Sequence, residues 1–508
     1  MKKLKVFILS ALLSLLAAAF AQQYKIADVN YDITGITRKY ALSQKIKIDK
    51  KRIFENEEEF IKYFKDLCQR FYNERNFDSS QLDFSVDEPN ENNLCLVHIN
   101  IVTVDSHHFL AVPYPKYNSN SGTNLKLKVK DTNFLGSLET LTSDISFQIE
   151  KDDDDDTTNH KWGLSTDFTI PFPCGPFEAK WQNDWSGTYT VGKSAPEYSI
   201  STGVLFSLPF DTFSLDWTFT HSFNRNFDYT EYDDEIYNTE SGKFSIPITL
   251  QEIDNWGKIY YTPFCSVTYN WDKNSIDKEN DDLSSPLYKV GHGISTERIN
   301  WHENFRKGLS IDLQQSIGYN TQRYDVVPYV SAEAKIFLDL KVLGMCMDAY
   351  AFASKNSTTK IGQRLRGIKD DQKYDTGDPE IDSKYATRPD SAIVVNMDMP
   401  IHIFTFNFNN WKYLSFMNIF NCELQISPFF DFALLRNKAT GTNFYMNDGF
   451  YAGGLEFLVY PQKWRSLVVR ASAGVDLGRL IMPARFFNKD WRDEVSKYEI
   501  EIGVGLHY

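Results

Sequence analysis

YEIEIGVGLHY, Tyr498 to Tyr508, ends the chain, and its reading decides the fold. Tyr498, Ile500, Ile502, Val504, Leu506 and Tyr508 alternate with Glu499, Glu501, Gly503, Gly505 and His507. A period of two gives a strand one apolar and one polar face. A strand that crosses lipid needs ~9–11 residues patterned in this way. The same pattern recurs back to His107, with no convincing helix between. Leu125, Leu127 and Val129 interleave with Lys126, Lys128 and Lys130, and Ile145, Phe147 and Ile149 interleave with Asp144, Ser146 and Gln148. Trp162, Leu164, Thr166, Phe168 and Ile170 follow, then Phe213, Leu215, Trp217 and Phe219, then Ile259, Tyr261, Cys265, Val267, Tyr269 and Trp271. Connectors alternate in kind. Thr132–Gly136, Pro173–Pro176 and Leu208–Asp211 are tight, whereas Asp152–Asn159, Asn224–Ser241 and Asp272–Ser285 are long and charged. Short turns at one rim and long loops at the other are the habit of a membrane barrel. A soluble sandwich would have to bury roughly 400 residues in two sheets, which is long for that fold. The expectation is a mainly β chain with a transmembrane antiparallel barrel of about sixteen strands over residues 107–508. Roughly sixteen to eighteen segments can be marked, and 240–340 is where over-counting would arise.

Composition agrees. Mean hydropathy is −0.41 and no long apolar run follows the N-terminus, which excludes a helical membrane protein. A barrel is compatible, because only alternate residues meet lipid. The 38 Phe, 28 Tyr and 10 Trp suit aromatic girdles at two interfaces. A formal charge of −14 argues against nucleic acid. Cys68, Cys95, Cys174, Cys265, Cys346 and Cys422 form no CxxC pair, so neither a metal site nor a cofactor is expected. Cys68 and Cys95 share one candidate domain, where they either pair or remain two buried thiols. The acidic run Asp152–Asp156 reads as a calcium site or as a solvated loop tip.

The N-terminus reads as an address. Lys2, Lys3 and Lys5 precede an apolar core from Val6 to Leu16, and Ala19-Phe20-Ala21 is a small-x-small cleavage site. A signal peptide over 1–21 is expected, with Gln22 first in the mature chain. No Cys follows the cleavage site, which argues against a lipoprotein anchor. Residues 22–106 then read as a small α+β domain of strand, helix, strand, strand. Tyr24–Ile33 alternates. Asn56 and Glu59 form a capping box. Phe60, Ile61, Phe64, Leu67, Cys68 and Phe71 share a helical face. Leu82, Phe84 and Val86 alternate before the turn EPNENN (88–93), and Cys95, Val97, Ile99 and Ile101 alternate after it.

Several motifs in order resemble the BamA/TamA superfamily of outer-membrane assembly and translocation proteins, the bacterial surface antigen family. ITGIT (33–37) and FYNERNF (71–77) resemble parts of a single POTRA domain, and PYPKYNSNSGTNLKLKVKDTNFLGS (113–137) resembles the family's first hairpin and following turn. On that alignment His107–Tyr117 is the first barrel strand. LRGI, Leu365, Arg366, Gly367 and Ile368, resembles the Arg-Gly motif of a loop that folds into the lumen, here about Lys355 to Asp390. Ile368 stands where an aromatic is usual. VVNMDMPI (394–401), with Asp398 where Glu is usual, SPFFDF (427–432), with Asp431, GGLEFLVYP (453–461) and VRASAGVDL (469–477) resemble the strands that follow. Parity turns Leu424, Ile426, Phe430 and Phe432 outward and Glu423, Gln425 and Asp431 inward; Glu456 likewise faces inward. A buried Arg wants a planar carboxylate partner. Asp431 is the first candidate for Arg366, with Glu456 second and Asp398 also on the lumen wall. Departures from the family are the single POTRA-like domain and the lack of residues for an N-terminal plug helix.

The resemblance implies insertion, assembly or translocation of polypeptides at the cell outer membrane, with a periplasmic N-terminal domain. Unfolded outer-membrane or secreted polypeptides and outer-membrane lipids are the expected partners. Accessory lipoproteins or a periplasm-spanning partner remain open. A passive porin and lipid export are the alternatives. No GxSxG or HExxH is present, so no enzyme is expected. Closure would pair His107–Tyr117 with Lys497–Tyr508, with Gly503 and Gly505 weakening the seam and Tyr508 as terminal signal. A closed barrel resists cold detergent, so the folded protein should shift on a gel after boiling and give a β-type circular dichroism spectrum; a helical spectrum would overturn the assignment.

Overall fold

The computed structural model describes residues 22–118, 122–151, 158–253, 256–355, 357–369, 371–410, 413, 415–480, 491–492 and 498–506. The expected signal peptide, the Asp152–Asp156 run, His507 and Tyr508 lie outside them. The chain divides into two units.

The first unit takes in the residues up to His108 and also Leu135–Leu138. It runs β1 (Gln23–Thr34), α1 (Lys39–Lys45), β2 (Ile53–Phe54), α2 (Glu57–Asn73), β3 (Phe77–Val86) and β4 (Leu94–Asp105). The sheet order is β2-β1-β4-β3, with β1 and β4 parallel. The Asn56 side chain caps α2 by accepting from the Glu59 amide at 2.9 Å. Phe60, Leu67 and Phe71 of α2 pack on Ile26, Val97, Ile99 and Ile101 of the sheet, and Leu138 is buried in the same core. Two elements escape the sequence reading. Helix α1, KYALSQK, is too short to show a helical period, and β2 is a two-residue edge. Cys68 and Cys95 are both free thiols.

The ITGIT segment has a physical reason. Gly35 has φ +142°, and a Cβ there would lie 2.3 Å from the Asp105 carboxyl carbon. The space lets Asp105 accept from the amides of Ile36 (2.7 Å) and Thr37 (2.9 Å) and from the Thr37 hydroxyl (2.8 Å).

The second unit is a closed barrel. Its strands are β5 (Phe109–Asn118), β6 (Gly122–Asp131), β7 (Leu141–Lys151), β8 (Thr158–Cys174), β9 (Phe177–Thr190), β10 (Glu197–Pro209), β11 (Ser214–Arg225), β12 (Ile236–Ser245), β13 (Ile248–Ile253), β14 (Gly257–Trp271) and β15 (Leu287–His302). They continue as β16 (Phe305–Asn320), β17 (Asp325–Asp339), β18 (Gly344–Ser354), β19 (Ser391–Asp398), β20 (Ile401–Phe406), β21 (Cys422–Asn437), β22 (Thr442–Asn443), β23 (Phe450–Pro461), β24 (Val469–Asp476) and β25 (Tyr498–Val504). Six of them are the halves of three longer strands. β12 and β13 both pair with β14, β19 and β20 both pair with β21, and β22 and β23 both pair with β21. Pro247 and Pro400 stand at the first two breaks, where a missing N–H interrupts the ladder. Eighteen antiparallel staves result among the described residues, at the upper end of the segments marked rather than about sixteen. The stretch 240–340 carries no over-count: β14 to β17 are all full strands. The connector expected at Asn224–Ser241 is shorter, because β11 runs to Arg225 and β12 starts at Ile236.

Alternation sorts the side chains. Along β21, Gln425, Ser427, Phe429, Asp431, Ala433 and Leu435 are buried, while the residues between them are partly open on the outer face. Along β23, Leu455 and Phe457 are exposed and Glu456 and Leu458 buried. Trp162, Leu164, Phe219, Val290 and Ile317 likewise stand on the outer wall.

Asp105→Ala should strand two amide donors in the first unit and cost about 1–3 kcal/mol. Pulse proteolysis of the full chain in urea should cleave that unit at lower urea than in the wild type. An unchanged midpoint would remove this role from Asp105.

Candidate functional site

The connector from β18 to β19 lies inside the barrel. Its two arms bond to each other: the Ser354 amide donates to Asp390 O (2.8 Å), Ile361 to Thr387 O (2.9 Å) and Ala386 to Gln372 O (2.7 Å). Asp371 ties the arms further, meeting Lys360 at 3.0 Å and Arg388 at 3.1 Å. A short 3-10 turn, Gly362–Arg364, then delivers Leu365 to Ile368 to the wall.

Arg366 is 5 % exposed. Its Nε donates to Asp431 Oδ2 (2.9 Å) and one terminal nitrogen to Asp431 Oδ1 (2.6 Å). Its amide also donates to Asp431 Oδ2, at 3.0 Å. The other edge of the guanidinium faces Asp398, at 2.7 and 3.3 Å. The planar fork is thus shared by two carboxylates, from β21 and β19, and its face lies 3.8 Å from the centre of the Phe429 ring. Register explains the meeting: Asp431 pairs with Asn396 and Phe429 with Asp398, which places the three side chains on adjacent lumen positions.

Gly367 turns the loop at φ +89° directly against β24. A Cβ on Gly367 would sit 2.8 Å from Gly474 C, and one on Gly474 would sit 2.9 Å from Gly367 N. Two glycines therefore set the closest approach of loop to wall. Leu365 and Ile368 enter an apolar cluster with Ile361, Val394, Leu435 and Phe450. Trp491 joins it, with the Tyr374 ring tilted against it at 5.2 Å and Phe450 at 5.8 Å. The aromatic area that Ile368 does not supply is thus present from the β24–β25 connector.

Glu456 does not reach Arg366. It pairs with Arg470 at 3.3 Å, and Arg470 also meets Glu501 at 3.7 Å. The reason is register: Glu456 lies opposite Ser472, so Arg470 is its diagonal neighbour. Gly503 lies opposite Arg470, where a Cβ would stand 3.3 Å from Arg470 Nε. Gly505, at φ +104°, donates its amide to Val468 O at 2.7 Å.

Sequence reasoning missed two more arginines. Arg364 binds Glu333 (2.8 Å) and Asp348 (3.4 Å) over the Tyr350 ring. Arg492 binds Asp476 (3.3 Å) beside Phe450. Arg364 sits two residues before Arg366, and that spacing was a usable signal. Nothing local marks Arg492.

Neither a family model nor a curated protein matches the sequence. Solved structures match in fold. CdiB from Acinetobacter baumannii is 11 % identical at TM-score 0.45, over 95 % of this chain and 74 % of that one. CdiB from Escherichia coli is 9 % identical at 0.49, over 96 % and 76 %. BamA from Haemophilus ducreyi lacking POTRA domains 1-3 is 10 % identical at 0.35, over 95 % and 84 %. The chain is similar to BamA and to CdiB.

Arg366→Ala should leave two buried carboxylates facing each other and loosen the loop. Breaking a buried pair in this way costs ~3–5 kcal/mol. Arg366→Lys should rescue poorly, because an ammonium cannot span both partners. A double-mutant cycle of Arg366→Ala with Asp431→Ala, read by protease access to 355–390, should give coupling of ~1 kcal/mol or more. Glu456→Gln should leave that access unchanged. Strict additivity in the cycle would place Arg366 outside the network.

Proposed function

We propose that this chain resides in the cell outer membrane and assists the insertion, assembly or translocation of polypeptides there. The observation that carries the reading is the contrast between a filled lumen and a weak seam. β15 and β16 share sixteen register pairs, from Leu287–Asn320 to His302–Phe305, whereas β25 and β5 share one among the described residues, Ile500 with Tyr117. Among the described residues β25 spans seven, and Tyr117 alone of the β5 edge has a register partner in it. Unpaired backbone at lipid depth favours either closure or the arrival of another strand. An incoming polypeptide could add to that edge. The outer wall, with Trp162, Leu164, Phe219, Val290 and Ile317 exposed, suits hydrocarbon rather than water.

The N-terminal unit suits the same task. β3 is an edge strand of its sheet, and Phe84 and Val86 on it are exposed. In this reading the unit lies in the periplasm and receives extended clients by β-augmentation. Outer-membrane lipids contact the wall, and accessory lipoproteins are further candidate partners. A passive porin is the weaker reading, because the loop 355–390 packs an apolar cluster into the lumen. The reading includes no catalytic step.

Ile500→Cys with Tyr117→Cys should form a disulfide across the seam under oxidation. The locked protein should keep its heat-dependent gel shift and lose client assembly, which reduction should restore. Normal assembly by locked barrels would exclude opening at this seam, and free ion conductance at porin level would favour the channel.

A further inference from the structure

The outer wall carries an ionisable pair where a lipid-facing wall should be apolar. Register aligns five polar side chains edge to edge across β9, β10, β11, β12 and β14. Asn183 lies opposite Thr202, Thr202 opposite His221, His221 opposite Glu240, and Glu240 opposite Tyr269. His221 Nδ1 is 2.8 Å from Glu240 Oε1, and both side chains are 47 % exposed. Trp181 Nε1 donates to the Thr202 hydroxyl (2.9 Å), which donates to Asn183 Oδ1 (3.0 Å). The Asn183 amide nitrogen is buried with no hydrogen-bond partner among the described residues.

The rows that flank this polar row on both sides are apolar apart from Asn238. On the short-turn side run Trp181, Val204, Phe219, Gly242 and Val267. On the long-loop side run Trp185, Ile200, Phe223, Asn238 and Trp271. The pair therefore lies within the apolar band and not at its rim. Ionisable groups at such depth are expensive and mark contacts. Beside the pair the wall is dented. A Cβ on Gly242 would touch only Val267 at 3.7 Å and Phe219 at 4.0 Å. The recess, about 500 Å³, is lined by Val204, Phe219, His221, Glu240, Gly242 and Val267.

We infer that this face of the barrel docks a second copy of the same chain within the membrane; the inference rests on the outer-membrane reading. Charge complementarity selects the occupant. The patch holds a base and an acid side by side, so a two-fold axis through the pair brings His221 to the partner subunit's Glu240, and Glu240 to the partner subunit's His221. Such an isologous contact is self-complementary. Shape follows the same logic, because the recess at Gly242 and the projecting Phe223 and Trp185 belong to one patch. A lipid phosphate fits less well, since Glu240 would repel what His221 attracts.

The test uses full-length tagged and untagged copies, co-expressed and extracted from outer membranes with their lipid by an amphipathic polymer. The wild-type copies should co-purify. His221→Glu alone and Glu240→Lys alone should each lower self-association about tenfold. Mixed with each other, the two variants should associate again, because one presents two acids and the other two bases. A pair that served only the single barrel would not be rescued across copies. If either charge reversal fails to give a heat-shifting barrel, His221→Gln with Glu240→Gln carries the test and must lose association while keeping the shift. Wild-type copies that do not co-purify, single variants that associate normally, a mixture without rescue, or a different protein in place of the second copy each overturn the proposal. Wild-type protein absent from the outer membrane would instead overturn the membrane reading.

Discussion

One guanidinium held between two carboxylates sets the interior of this barrel. Arg366 comes from a long connector, and its partners Asp431 and Asp398 come from neighbouring staves. None of the three could be left alone inside the wall, because an unpaired buried charge is far more costly than a paired one. Once Arg366 is seated, the loop tip is fixed in position and direction. Gly367 must then lie against Gly474, and Leu365 and Ile368 must face the apolar cluster. The ion network supplies direction and the cluster supplies area. Neither alone would hold some thirty residues of loop in one place, since ordering them costs ~1–2 kcal/mol per residue of backbone entropy.

The barrel combines that firm interior with an unequal wall. Long hairpins such as β15–β16 satisfy their own backbone groups almost completely. The closing contact does not, and the short β25 is also the strand whose inner face carries Gly503 and Glu501 around Arg470. Side-chain pairing through Arg470 thus ties β25 back to β24 and β23, on the side away from β5.

Period-two alternation made the barrel legible, because each strand reports its own two faces. It also placed Asp431, Asp398 and Glu456 on the lumen side. Alternation is silent about register, however, and register decides neighbours. Glu456 had the right face and the wrong height, and it serves Arg470 instead. The polar row through His221 and Glu240 is invisible for the same reason: its members are scattered from 183 to 269 and meet only through four strand pairings. Helix α1 and Trp491 were missed because their positions are fixed by tertiary packing alone.

Leu138 has a bearing on synthesis. It is 2 % exposed and completes the core of the first unit, yet it follows that unit's last strand by more than thirty residues. A nascent chain cut off after β4 would leave an unfilled apolar socket. The first unit therefore cannot be completed before β5 and β6 have emerged. The small domain is discontinuous in the gene although compact in space, and its maturation is kinetically bound to the first hairpin of the barrel.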